Sequence, residues 1–63
     1  MTTEEIAAEI REWCGGGSAY SIDDVVEALG NEYEESQVRE ALGILVERGQ
    51  AEYDEEYSEW EIY

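Results

Sequence analysis

Apolar residues recur at every third or fourth position through the first segment of the chain. This spacing predicts an α-helix over residues 3–14 that buries one stripe of side chains. The stripe consists of Ile6, Ile10 and Trp13, at i, i+4 and i+7, with Ala7 and Cys14 on its shoulder. Three glycines at residues 15–17 then end the helix, because glycine tolerates the left-handed conformation that helix caps require.

A second helix follows the same period over residues 22–29. A short extended stretch at residues 19–20 precedes it, and Ser21 and Asp24 have the spacing of a capping box at its start. Its apolar face consists of Ile22, Val25, Val26 and Leu29. Gly30 is the predicted stop.

A third helix is predicted over residues 34–48, after a turn at residues 31–33. The residues expected in its buried stripe are Val38, Ala41, Leu42, Leu45 and Val46. Gly49 ends this helix.

Beyond Gly49 the hydrophobic period changes from about 3.6 to 2, which predicts a β-hairpin over residues 50–63. With the turn centred on Glu55 and Glu56, we expect one side to carry Ala51, Tyr53, Ser58, Trp60 and Ile62. In that register Glu52 lies opposite Glu59, a like-charge pair that is unfavourable unless salt screens it. The order of the elements predicts an α+β fold.

Length and composition limit the protein to one small domain. A chain of 63 residues buries a modest core, and its 43% of hydrophobic residues is enough for one. No apolar run approaches the roughly 18 residues of a membrane span, and the first residues lack the pattern of a signal peptide. We therefore expect a cytoplasmic protein without a membrane segment.

Charge is the most unusual property of the chain. Eighteen acidic residues stand against three arginines, with no histidine, for a formal net charge of -15. The Debye length falls from about 8 Å at 0.15 M salt to about 3 Å at 1 M, so concentrated salt removes most of the self-repulsion. The composition resembles that of halophilic archaeal proteins and indicates adaptation to high intracellular salt; the alternative is an ordinary acidic protein.

The succession of elements resembles the winged helix-turn-helix family. The segments that carry the resemblance are "YSIDDVVEALG" for the strand and second helix, "SQVREALGILVERGQ" for the third helix, and "AEYDEEYSEWEIY" for the wing. The Leu45 to Gly49 exit is typical of this family. The resemblance covers nearly the whole chain and implies three helices, a short strand after the first, and a C-terminal β-hairpin wing. It also implies a DNA-binding protein of the transcription-regulator type, with the third helix against DNA.

The third helix is poorly equipped to read DNA. Its exposed face is predicted to carry Ser36, Gln37, Glu40, Gly43, Ile44 and Glu47, with Arg39 at the flank. DNA binding depends on neutralising phosphates, and three dispersed arginines form no basic stripe. Ser36, Gln37 and Glu40 retain the capacity to hydrogen-bond base edges. DNA is therefore a candidate partner on the strength of the family resemblance.

Two other functions compete with DNA binding. Gly43 and Ile44 on the third helix, with Tyr57, Glu59 and Tyr63 on the wing, form a candidate contact surface for a protein partner or a second copy. Alternatively, the carboxylates imitate a phosphate track and make the chain a DNA mimic. Acidic residues spread over the surface by salt adaptation account for the same pattern.

Enzymatic chemistry finds no support in the residues. The chain has no histidine for acid-base work, and Cys14 has no neighbouring base, so it is interpreted as a packed hydrophobic residue. The 15–17 glycine triplet lacks the Lys-Ser/Thr of a phosphate-binding loop, and residues 54–56 lack the spacing of a calcium loop. We expect a non-enzymatic protein without a cofactor, a metal or a small-molecule substrate.

Overall fold

A computed structural model describes residues 2–63. These residues form three helices and a three-stranded antiparallel sheet, an α+β layout compatible with a winged helix, which confirms the predicted fold class. The helices are α1 (Thr3–Cys14), α2 (Ile22–Ala28) and α3 (Glu35–Glu47), and the strands are β1 (Ser18–Ser21), β2 (Ala51–Asp54) and β3 (Glu59–Ile62). Each helix ends within one residue of its predicted limit.

Local hydrogen bonds account for the helix starts. The Thr2 hydroxyl accepts from the Glu5 amide at 3.2 Å, which satisfies one of the free donors at the start of α1. Before α2, Ser21 and Asp24 form a reciprocal capping box, as the sequence predicts.

Gly15 allows α1 to end close to the last residues of the described chain. A Cβ atom at this position would collide with the Arg11 carbonyl and would also lie 3.3 Å from the Tyr63 carbonyl. Immediately afterwards, the Gly17 amide donates to the Ile62 carbonyl at 2.7 Å. The end of α1, the start of β1 and the end of β3 therefore meet at the glycine triplet.

The core lies between the helices and the inner face of the sheet. α1 packs mainly against α3, and α2 contacts both of these helices. The fully buried core side chains with the largest volumes are Ile6, Ile10, Leu42, Leu45, Ile62, Val25, Val38 and Cys14. No polar or charged side chain among residues 2–63 is buried, so apolar burial supplies the stabilisation.

Three helical residues depart from their predicted burial. Trp13, expected in the α1 stripe, is 65% exposed, because the buried stripe is centred nearer to the small residues Ala7 and Cys14. Val46, expected in the α3 core, is 38% exposed, whereas Ile44, expected on the exposed face, is half-buried. Both α3 residues lie roughly 90–110° from the centre of the buried stripe, where neighbouring elements rather than periodicity decide exposure.

The sheet places β3 in the middle. Its strand order is β1-β3-β2, and both pairings are antiparallel. The predicted hairpin register is wrong by two residues, because Tyr53 pairs with Trp60 rather than Ser58, and Ala51 pairs with Ile62 rather than Trp60. Because side chains alternate along a strand, a shift of two residues keeps the same side chains on the inner side of the hairpin. Ser58 is the exception, since it lies in the turn and not in a strand.

The hairpin turn explains this difference. It occupies four residues, 55–58, and is therefore longer than predicted. The Asp54 carboxylate accepts from the Glu56 amide at 3.0 Å, and Ser58 adopts a left-handed conformation with φ 53° immediately before β3. The predicted pair of Glu52 and Glu59 is replaced by two like-charge pairs, Glu52 with Glu61 and Asp54 with Glu59.

Candidate functional site

Gln37, a candidate DNA contact, forms a hydrogen bond within the first turn of α3. Glu34 caps this helix, and its amide donates to the Gln37 side-chain oxygen at 3.0 Å. The Gln37 amide group is left with its NH₂ donors for an incoming partner. The helix start also carries the carboxylates of Glu34 and Glu35, which suit the positive end of the helix dipole and oppose phosphate.

The outward face of α3 is exposed and carries carboxylates. Ser36, Glu40, Gly43 and Glu47 are all exposed, and their spacing places them on the side of α3 that faces away from the core. Of the predicted contact residues, Ser36, Glu40 and Gly43 share this face. Arg39 lies on one flank of it, and Gln37 and Ile44 lie on the other. The face itself contains no cation.

Arg39 is engaged by two neighbours within the molecule. Its Nε donates to Glu35 Oε2 at 3.2 Å, an exposed ion pair across one helical turn. Its guanidinium carbon also lies 5.8 Å from the centre of the Trp60 ring, within the range of a cation–π contact. The Trp60 ring in turn packs on Tyr53, with 4.6 Å between ring centres. Arg39 thus joins α3 to the wing.

These contacts define a surface that we call the Arg39 patch. Its members are Glu35, Arg39 and Val46 of α3 with Tyr53 and Trp60 of the wing. Val46 belongs to it because positions 39 and 46 are seven residues apart and lie on the same side of the helix. Val46 and Tyr53 are both about 40% exposed, at 38% and 43%. Aromatic residues and arginine beside exposed apolar area are typical of protein interfaces.

The other two arginines lie apart from this patch. Arg48, at the end of α3, forms an ion pair with Glu4 at the start of α1. Arg11 is exposed on α1 and is the arginine without an ion pair within residues 2–63. No basic stripe forms across the described surface.

The predicted wing contacts lie at separate places on the hairpin. Tyr57 is 67% exposed in the turn, and Glu59 is half-buried in the central strand between Ser21 and Asp54. Tyr63 lies beyond β3, where its amide donates to the Gln50 carbonyl at 3.1 Å. Desolvation, followed by the hydrogen bond with Glu52, raises the pKa of the Tyr63 phenol.

A second feature lies where α1 meets the turn after α2. An open groove of about 220 Å³ is lined by Glu9, Trp13, Ala28, Leu29, Gly30 and Glu32, and we call it the Trp13 groove. Glu9 and Trp13 are one helical turn apart on α1 and so project to the same side. The Tyr33 hydroxyl donates to the Glu9 carboxylate and holds it at the rim. This bond is the main cause that raises the pKa of Tyr33 to about 12.

The remaining candidate chemistry lies in the core or is absent from the described chain. Cys14 is fully buried, and desolvation, with a smaller effect of Asp24, raises the pKa of its thiol. Within residues 2–63, no group of three acidic, cysteine or histidine side chains is arranged to hold a metal ion. Over the same residues, the helices are too short and polar for any of them to span a bilayer.

Sequence reasoning missed the residues that build both surfaces. Tyr53 and Trp60 were expected on the inner side of the hairpin, and nothing in their spacing indicated that Arg39 would reach them. For the Trp13 groove a signal did exist, because Glu9 and Trp13 have i, i+4 spacing. Assigning Trp13 to the core concealed it.

Comparison of the chain with models of protein families, with curated proteins and with solved structures gave no match. The interpretation of its function therefore depends on its own geometry and charge.

Proposed function

We propose that this chain is a small, non-enzymatic, cytoplasmic protein of the winged-helix type that contributes to a regulator assembly by binding a protein partner through the Arg39 patch. The observation that carries this proposal is the engagement of Arg39 by Glu35 and Trp60. This contact leaves the outward face of α3 without a free cation and places an arginine among aromatic side chains. The absence of a free cation disfavours binding of phosphate, and an arginine beside aromatic side chains favours a protein interface.

Charge supports the same choice of partner. A formal net charge of -15 repels DNA over the whole surface, and salt weakens attraction to phosphate as well as repulsion from it. A protein partner needs only local complementarity at a patch with exposed apolar area. Two copies of this chain repel each other for the same reason that DNA is repelled, so a different protein is the preferred partner over a homodimer.

The second candidate function is direct DNA binding of the transcription-regulator type. It is favoured by the winged-helix layout and by the exposure of Ser36, Gln37 and Glu40 on α3. In this case α3 contacts base edges, and a basic partner supplies the phosphate contacts that this chain lacks.

Substitutions on the two sides of α3 distinguish these functions. The native partner is first captured with a photoreactive residue at Val46, using one at Glu27 on α2 as the control. The captured protein is then purified, and its binding to Val46→Glu, Arg39→Ala and Ser36→Ala variants is measured by calorimetry. The proposal expects the first two to weaken binding roughly tenfold or more and Ser36→Ala to leave it unchanged.

Mobility shifts with duplex DNA complete the test. We expect no shift at low micromolar protein over a range of salt concentrations. Two results together would overturn the proposal in favour of direct DNA binding. The first is a DNA complex that Gln37→Ala weakens, and the second is a Val46→Glu variant that binds the partner protein as tightly as the parent does.

A further inference from the structure

The Trp13 groove combines three features that favour binding of a ligand. Trp13 is 65% exposed, although tryptophan is among the most favourable side chains to bury. Leu29, at the floor of the groove, is only 6% exposed, so the cavity reaches the core. Two acidic residues, Glu9 and Glu32, line the groove together with Trp13.

The size of the groove limits what it can hold. Its volume of about 220 Å³ lies below the roughly 300–1,000 Å³ of pockets that enclose small-molecule ligands and cofactors. It suits one side chain of a partner. Because the groove is open, that side chain can enter while its backbone remains outside.

The lining selects a cation with a flat surface. An indole ring attracts a cation over its face, and adjacent carboxylates accept hydrogen bonds from the same group. Arginine meets both requirements, because its guanidinium is planar, stacks on aromatic rings and binds carboxylates in a bidentate manner. Lysine offers a compact charge that does not stack.

Glu9 is held ready for such a contact. One of its oxygens accepts from the Tyr33 hydroxyl, and a carboxylate has about four lone-pair sites, so acceptor capacity remains for an incoming donor. Tyr33 is therefore a positioning residue that orients the Glu9 carboxylate and leaves it able to accept further hydrogen bonds.

We infer that the Trp13 groove binds an arginine side chain presented by a basic segment of a partner protein. This inference extends the proposed function by naming the chemistry of the partner. A second copy of this chain is a poor source of the arginine, because two surfaces with a net charge of -15 repel each other. Two of its three arginines, Arg39 and Arg48, are also already ion-paired, which leaves Arg11 as the available one.

The test uses short capped peptides of glycine and one central residue: arginine, lysine or citrulline, the neutral counterpart of arginine. Binding is followed by NMR on the full chain through the indole N–H of Trp13, with that of Trp60 as an internal reference. Measurements are made at the lowest salt at which the amide spectrum shows the folded chain. We expect the arginine peptide to shift the Trp13 signal, lysine to bind several-fold more weakly, and citrulline to have no effect.

Matched variants locate the contact. Binding to the variants is followed through the backbone amide signals of Leu29 and Gly30, which all of them retain. Trp13→Ala and Glu32→Gln are expected to weaken arginine binding roughly tenfold, and Tyr33→Phe to weaken it less. Glu55→Gln removes one charge from the wing turn and is expected to change nothing. Equal binding of arginine and lysine, or an equal loss with Glu55→Gln, would show general attraction to an acidic surface and overturn the inference.

The outcome is separable from that of the proposed function. If the purified partner loses affinity for Val46→Glu but not for Trp13→Ala, the groove is not part of the interface and the Arg39 patch stands. If Trp13→Ala weakens binding of the partner and Val46→Glu does not, the groove is confirmed and the Arg39 patch is rejected as the interface.

Discussion

The helical core and the wing are stabilised in different ways. α1 and α3 bury Ile6, Ile10, Val38, Leu42 and Leu45 almost completely, and this stabilisation does not depend on charge. The wing buries Ala51, Trp60 and Ile62 but brings two carboxylate pairs face to face on the neighbouring strands. From this comparison we expect salt to affect the stability of the wing more than that of the helical core.

The largest expected effect comes from opening the helical core. We expect Leu42→Ala to lower the free energy of unfolding by about 2–5 kcal/mol, because Leu42 is fully buried and its removal leaves a cavity. Chemical denaturation measures the change. Trp13→Ala, on the exposed side of α1, is the control and should stay within about 0.5 kcal/mol of the parent. A similar loss in both variants would mean that the Trp13 ring contributes to the core.

Lowering the salt concentration should destabilise the wing before it destabilises the helical core. The pairs Glu52–Glu61 and Asp54–Glu59 each oppose the sheet by roughly 0.2–1 kcal/mol when they are unscreened. As salt falls, we expect amides of β2 and β3 to lose protection from hydrogen exchange before those of α1 and α3 do. Sodium sulfate and sodium chloride at equal ionic strength should have similar effects if screening is the cause. Loss of protection in all elements at once would contradict the distinction between core and wing.

Reversing one charge on the wing should sharpen the distinction. Glu61→Lys converts the pair with Glu52 into an attractive one, and we expect it to stabilise the protein by roughly 0.2–1 kcal/mol at low salt and by less at high salt. Glu55→Lys makes the same change of charge in the turn, where no strand partner faces it. Thermal unfolding of both variants over a salt series provides the measurement, and equal gains would assign the effect to net charge.

The smallest expected effect concerns Tyr33, which ties the turn after α2 to α1. Its hydrogen bond to Glu9 is the largest of the causes, followed by desolvation and nearby carboxylates, that raise the pKa of its phenol from 10 to about 12. Because the raised pKa favours the protonated form, the contribution of this bond is complete below about pH 10 and is lost as the pH rises through about 12. Ring signals of Tyr33 in a pH titration should show this value, and Glu9→Gln should lower it. An unchanged titration in Glu9→Gln would assign the shift to desolvation.

Prediction from sequence succeeded where local rules decide the outcome. The glycines after each helix and the change of period after Gly49 were sufficient for the element order and the α+β class. It failed at the edges of the stripes, at Trp13 and Val46, because exposure there depends on which neighbour covers the helix. The hairpin register failed because a four-residue turn with a left-handed Ser58 has no strong sequence signal.

The two candidate surfaces were harder to predict, because each joins residues that are distant in the chain. Arg39 and Trp60 meet only after α3 and the wing have packed, and Glu9 and Glu32 come together only when α2 lies beside α1. Periodicity assigns a residue to one face of one element. It contains no information on how two such faces meet.

The central position of β3 has a consequence for the order of folding. β1 is made early, yet its only neighbour in the sheet is β3, about forty residues further along the chain, whereas α1, α2 and α3 can associate through contacts nearer in sequence. During synthesis, the helices are therefore expected to collapse first, leaving β1 unpaired. The sheet is expected to be completed late, when β3, which pairs with β2 in a local hairpin, meets β1.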